Sequence, residues 1–288
     1  MKTSYYSFSW YALLWLGISI VQPLHAQGLL WKITGNGLKA PAWLYGTMHV
    51  QDYRVFNLPK GWEQKMEQSG RMILEIDLST EPDPSKIMQM MQSPEDSTLD
   101  KILTQESYAY LRQWFQDSLG MALEPFKGMK PFMLMSMVQQ SRMSSEMPLA
   151  LDAWLAQRAK GVNIPVIGLE TIEEQMQVID RMSISEQAHM LMEMVNTDAV
   201  RAQQEADLMD AYLNGQLERL LYLASQWETD PQFKHEIITV RNRIMAGRLS
   251  EILEAGPAFV AIGALHLPGT EGLIALLRAR GYTVEAAS

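Results

Sequence analysis

The chain has 288 residues, sets 24 Lys and Arg against 33 Asp and Glu for a formal charge of −9, and contains no cysteine. The acidic balance argues against nucleic acid as a partner, because neutralising phosphates needs clustered Lys and Arg. Without cysteine there can be no disulfide, thiol nucleophile, thiolate zinc site or lipoprotein anchor, so a bound metal must be held by His, Asp, Glu or backbone oxygen.

Lys2 is the only charge in the first 26 residues, and the apolar run Trp10 to Val21 leads into Gln22-Pro23-Leu24-His25-Ala26. That is the layout of a secretory signal peptide cleaved after Ala26. The run is too short for a comfortable span of about 20 residues. The expected outcome is export to the periplasm, the cell surface or the medium. The domain would cover 27–288, with no transmembrane segment after cleavage.

Beyond the leader, Leu29 to Ile33 predicts a strand, Gly35-Asn36-Gly37 a tight turn, and Ala42-Trp43-Leu44-Tyr45 a second strand running into Gly46. Pro59 to Ser69 is expected to be helical. Arg71 to Leu78 alternates as a third strand, with Ile73, Glu75 and Asp77 on one face. Helical spacing follows around Ser85–Met91, Ser107–Leu119, Pro131–Ser145 and Leu149–Lys160, broken by Pro and Gly. Ile164 to Leu169 predicts a buried strand that delivers Glu170. Ser183 and Glu186 form a capping box for a helix to about Val195. Helices over Ala199–Leu213 and Gln216–Trp227 come next, then one opened by Asp230-Pro231 and running to about Glu254. Pro257 to Ile262 is a strand, Gly272–Arg280 a helix and Tyr282-Thr283-Val284 a closing strand. The pattern predicts an α/β (α+β) fold: a mixed central sheet built from two halves, with a large helical portion between them.

One device occurs twice. Ala42-Trp-Leu-Tyr-Gly-Thr-Met-His49 and Phe259-Val-Ala-Ile-Gly-Ala-Leu-His266 are both apolar strands ending in Gly-x-x-His. Chance would place a Gly three residues before one of the five histidines about 0.3 times. A glycine at a strand exit lets the backbone turn sharply and presents the next side chains at the sheet edge, where α/β folds bind ligands. Two converging neutral imidazoles suit a borderline divalent ion; two hydrogen-bonded structural histidines are the plainer reading.

Glu75 is the best third member, since an ionised carboxylate between Leu74 and Ile76 is costly unless paired or on a metal. The competing view has Glu75 and Asp77 lining a solvated face. Glu170 could be a ligand, a base or a helix cap, capping being the simplest. Asn242 is a poor interior helix residue, which draws attention to Arg241-Asn242. Arg241 could clamp a carboxylate or a developing oxyanion, or simply pair with a core acid. Met133, Met135 and Met137, with Met190, Met192 and Met194, could suggest copper(I), but alternate helical residues point about 200° apart. Core filling or a pliable apolar groove fits them better. His189 and His235 are expected on helix surfaces. No Gly-x-Ser-x-Gly or His-Glu-x-x-His occurs, so neither a serine hydrolase nor a zincin is supported.

Taken in order, Trp43-Leu-Tyr-Gly-Thr-Met-His-Val50, Leu74-Glu-Ile-Asp77, Leu151-Asp-Ala-Trp-Leu-Ala-Gln-Arg-Ala159, Gly168-Leu-Glu-Thr171 with Glu174-Gln175, Arg241-Asn242 and Phe259 through Gly269 resemble the TraB/GumN family, as does the ending Gly272 to Tyr282. That family is similar to the TIKI metalloproteases, and more distantly to erythromycin-esterase-like and haem-binding ChaN-like proteins. The resemblance implies an active site of His49, His266 and Glu75 supported by Arg241. It also implies a preference for manganese- or cobalt-like ions, with zinc less favoured. The expected function is an exported metal-dependent hydrolase acting on peptide or amide bonds. His49 and His266 would hold the ion with Glu75 or Glu170, one acid would deprotonate water, and Arg241 would stabilise negative charge. The alternative is a non-catalytic receptor using the same histidines for haem or a small ligand.

Overall fold

The computed structural model describes residues 28–77, 83–226 and 231–287. The signal peptide expected over 1–26 and the helix cap expected at Asp230 lie outside them. Six strands form one mixed sheet: β1 (Leu30–Gly35), β2 (Ala42–Thr47), β3 (Met72–Ile76), β4 (Val166–Glu170), β5 (Phe259–Gly263) and β6 (Tyr282–Ala286). Their spatial order is β4-β3-β5-β2-β1-β6. β4, β3, β5 and β2 are mutually parallel, whereas β1 runs antiparallel to both β2 and β6. The expected mixed α/β sheet is therefore present, with β4, from mid-sequence, at its edge.

Burial explains this arrangement. β5 is wholly apolar apart from its last glycine, buried along its whole length, and sits between β3 and β2. Such continuous apolar runs belong in parallel strands covered on both faces. On β3, Met72, Ile73 and Leu74 are all buried, so the sequence alternation does not mark a solvated face; Glu75 itself is only 8 % exposed. The turn at Asn36 has a positive φ of 46°, as an Asn between two glycines permits.

Helices cover the sheet. Trp62 of the helix Trp62–Ser69 meets Trp154 of the helix Leu151–Gly161 with ring centroids 5.5 Å apart. A second apolar cluster, away from the sheet, joins Leu111, Phe115, Leu134 and Val138 to Leu191 and Val195. Met135 and Met194 are buried in it, with Met137, Met190 and Met192 packed alongside, so these methionines fill a core. His189 and His235 are exposed, as expected. The capping box on Ile184–Asn196 forms, with Ser183 and Glu186 satisfying each other's backbone. The long helix after Pro231 is regular from Arg241 to Glu254, but His235–Val240 is a π-helical segment, a local widening common near functional sites. Among the described residues, no helix is long and apolar enough to cross a membrane.

Candidate functional site

The parallel block brings four strand exits to one edge, and each delivers a polar side chain. In order across the sheet these are Glu170 from β4, Glu75 from β3, His266 just after β5 and His49 just after β2. This is the carboxyl edge at which α/β sheets take ligands. β2 and β5 are adjacent but one residue out of step: Gly46 pairs with Ile262, and Thr47 with Gly263.

The two glycines serve a purpose other than turning. Gly46 and Gly263 are absent from the positive-φ positions, and Gly263 has φ −49° and ψ 129°, which any residue can adopt. What each position lacks is room. A Cβ on Gly46 would lie 3.2 Å from the Ala264 Cβ and the Leu267 Cδ2. A Cβ on Gly263 would lie 2.9 Å from Glu75 Oε1, 3.2 Å from His49 Nε2 and 3.6 Å from His266 Cδ2. The expectation of a sharp turn is corrected to one of close approach.

Each imidazole is anchored through Nδ1. His49 Nδ1 donates to Asp152 Oδ2 at 2.6 Å, and the Thr47 hydroxyl donates to the other Asp152 oxygen at 2.6 Å. His266 Nδ1 lies 2.6 Å from Asn242 Oδ1. The Asn242 amide donates to the Glu271 carbonyl at 2.7 Å, so its oxygen is the end that accepts from His266. Both Nε2 atoms then face one carboxylate oxygen: Glu75 Oε1 lies 3.6 Å from His49 and 3.9 Å from His266. The Gly263 N–H also donates to that oxygen, at 2.7 Å.

Arg241 joins the acids. Its Nη2 donates to Glu75 Oε2 and to Glu170 Oε2, both at 2.7 Å, and its Nε reaches both Glu170 oxygens at 3.0 and 3.1 Å. Gln175 adds longer contacts to both carboxylates. Arg241 is thus a clamp for the chain's own acids. Glu170 does not cap the helix that follows it; Thr171 does, in a box with Glu174.

Charge follows from these contacts. Burial alone would raise the Glu75 carboxyl, but His266, His49 and Arg241 around it hold it well below the usual range. Burial pushes His266 down to about 4, aided by Arg241 and His49, so it is a neutral imidazole whose Nε2 carries a lone pair. Burial opposes the charge of His49, yet the carboxylates of Asp152 and, less strongly, Glu75 outweigh this and raise its pKa well above the ordinary value. Its outer side stays open, with 57 % of the side chain exposed.

The donors suit a divalent cation. The carboxylates of Asp152, Glu75 and Glu170 are buried beside a single buried guanidinium, Arg241. With neutral imidazoles the cluster therefore has a surplus of two negative charges, costly in a low-dielectric setting unless offset. In the ion-free protein the extra proton on His49 offsets part of it. A metal-ligating imidazole anchored at its other nitrogen by an oxygen acceptor is a recurrent arrangement. Even so, among the described residues no three His, Asp or Glu side chains close into a coordination group.

Sequence reasoning brought together His49, Glu75, Glu170, Arg241 and His266, and gave no role to Asp152. A signal for Asp152 was present: it shares the buried stripe Leu151, Leu155, Ala156 and Ala159 of its helix. An acid on an apolar stripe needs a partner.

The chain is similar to Metalloprotease TIKI2 of Danio rerio, 24 % identical over 315 residues, covering 90 % of this chain and 61 % of the relative. It is also similar to the Metalloprotease TIKI homolog of Nematostella vectensis, 24 % identical over 303 residues and covering 85 % and 64 %. Metalloprotease TIKI1 of Homo sapiens is 23 % identical over 321 residues, covering 92 % and 63 %. The chain spans a little over three fifths of the length of these relatives. No solved structure matches it. Residues 29–286 match the TraB/PrgY/gumN family, and the chain belongs to that family.

Proposed function

We propose that this protein is an exported metal-dependent hydrolase of peptide or amide bonds, with His49 and His266 holding a divalent ion such as manganese or cobalt and Glu75 facing it. The observation that carries the reading is the convergence of two anchored imidazoles on Glu75 Oε1, at 3.6 and 3.9 Å. A divalent cation held there would supply Lewis acidity toward a carbonyl oxygen and toward water. The likeness to proteins named metalloproteases supports the same class.

The chain's own residues divide the remaining work. Asn242 keeps His266 in the tautomer whose Nε2 is free, and Asp152 does the same for His49 when that ring is neutral. Glu170 spends both oxygens on Arg241 and is unsuited to proton transfer. Glu75 keeps one oxygen toward the imidazoles, so it is the carboxylate able to accept a proton from water between them. Arg241, held by both acids, sets the orientation of Glu75 and stabilises negative charge there.

The test is Glu75→Gln in the full chain, assayed with manganese or cobalt and a peptide mixture analysed by mass spectrometry. Cleavage should fall by at least about a hundredfold, the scale of losing a general base, while the fold persists by circular dichroism. Unchanged cleavage, or wild-type protein that takes up no divalent ion when loaded, would refute the proposal. A haem or small-ligand receptor would instead bind its ligand equally well with Gln at this position.

A further inference from the structure

A cavity of about 660 Å³ opens directly onto His49, Glu75, Arg241 and His266 and continues between the helices beside them. Its lining is mixed in chemistry. One group is apolar: Leu208, Leu220, Ala224, Ile237 and Ile238, from the helices Asp198–Leu213 and Leu217–Ser225 and from the π-helical segment. A second group, at the end of the helix Pro131–Arg142, is Ser136, Gln139, Gln140 and Ser144, with Met143 among them. Apart from Glu75 and Arg241, the one Asp, Glu, Lys or Arg among the described lining residues is Glu205, and Arg142 lies 3.4 Å from its carboxylate.

From this we infer that the cavity is the substrate groove of the proposed hydrolase, and that its occupant is an uncharged extended peptide segment with a bulky apolar side chain beside the scissile amide. The inference rests on the hydrolase reading for the word substrate. The apolar group gives a Leu- or Met-sized side chain a place out of water. Amide and hydroxyl side chains in the same lining can satisfy the N–H and C=O groups of an extended backbone, which must find partners when desolvated. A Lys or Asp held against Leu220 and Ile238 would lose its hydration beside apolar side chains. The volume is in the range of small-ligand pockets and accepts a few residues of a chain, not a folded domain.

The experiment uses the full chain and ten-residue peptides identical except for one central residue: Leu, Gln, Lys or Asp. Fluorescence anisotropy with the EDTA-treated protein gives affinities, and mass spectrometry after manganese loading locates cleavage. The Leu peptide should bind at least about tenfold tighter than the Lys and Asp peptides, the discrimination that burying one such side chain supplies. Ile238→Asp, at a partly exposed position, should erase that preference without changing the thermal midpoint by more than a few degrees, and Ile238→Leu should keep it. Equal affinities, a preference for a charged residue, or no binding of any peptide would overturn the groove assignment. Cleavage without preference overturns the groove and leaves the hydrolase standing; preference without cleavage overturns the hydrolase and leaves the groove standing.

Discussion

Gly263→Ala isolates the site from the fold around it. The backbone at this position, φ −49° and ψ 129°, accepts alanine without strain, so the whole effect is steric. The new methyl would lie 2.9 Å from Glu75 Oε1 and 3.2 Å from His49 Nε2, where ordinary contact begins at 3.4 Å. Glu75 cannot easily withdraw, because Gly263 N–H holds one of its oxygens at 2.7 Å and Arg241 holds the other at 2.7 Å. Relief must come from parting Glu75 and His49 by about half an ångström. Overpacking of this kind costs about 1–3 kcal/mol, which lowers the thermal midpoint by about 2–4 °C per kcal/mol in a chain of this size. Gly46→Ala is the comparison: its methyl would sit nearest Ala264 and Leu267, at 3.2 Å, on either side of His266, so it presses less tightly and on the turn behind one imidazole rather than on Glu75 and His49 themselves. Calorimetric titration with manganese should show affinity reduced at least about tenfold in Gly263→Ala, or about 1.4 kcal/mol, and by distinctly less in Gly46→Ala. Equal affinities in the two variants at equal stability would refute the reasoning.

Arg241→Met leaves the buried carboxylates of Glu75 and Glu170 without their guanidinium and should cost about 3–5 kcal/mol in chemical denaturation; a loss under about 1 kcal/mol would mean the acids have other support. His266 titrates at about 4 when folded and near 6.5 when unfolded, so between these values the unfolded chain binds the extra proton. Stability contributed by the buried neutral ring is therefore complete above pH 6.5 and is lost as the pH falls towards 4, by roughly 2–3 kcal/mol. Glu75, held below its usual range, loses its contribution at still lower pH, and His49, held above its own, only at higher pH, so neither masks the window. Urea melts of ion-free wild type and His266→Gln at pH 7 and 5 should differ in slope with pH; parallel behaviour would dismiss the assignment. Asp152→Asn keeps a hydrogen-bond acceptor for His49 but removes the charge behind it. The His49 pKa followed by proton NMR should drop, and no change would show that Asp152 does not govern it.

Much of this was legible in the amino-acid sequence because the signals are local. The apolar runs ending at Gly46 and Gly263, the alternation around Glu75 and the Ser183–Glu186 box each concern neighbours within a few residues. An Asn in a helix interior likewise pointed to Asn242, which is 1 % exposed and holds His266. What stayed hidden depends on strand order. β4 pairs with β3 from nearly a hundred residues away, and only that pairing sets Glu170 beside Glu75 and makes Arg241 a bridge between them rather than a free clamp. The role of the glycines is hidden for the same reason, since the nearest atoms to a Cβ at Gly263 belong to Glu75 on β3 and to His49 just after β2.

The repeated Gly-x-x-His device suggests two equivalent ligands, yet the folded chain makes them unequal. His49 is backed by a carboxylate and is 57 % exposed at its side chain; His266 is backed by a neutral amide and is buried. A buried imidazole with an amide behind it is a fixed neutral donor, indifferent to pH over most of the neutral range. An imidazole with a carboxylate behind it holds a proton firmly and must release one before its Nε2 can bind a cation. On the proposed reading, ion uptake would be linked to proton release at His49, and the surplus charge of the buried acids would be offset in part by that proton and more fully by a divalent ion. The asymmetry arises from Asp152 and Asn242 on two different helices, so the site is specified as much by what stands behind the histidines as by the motif that carries them.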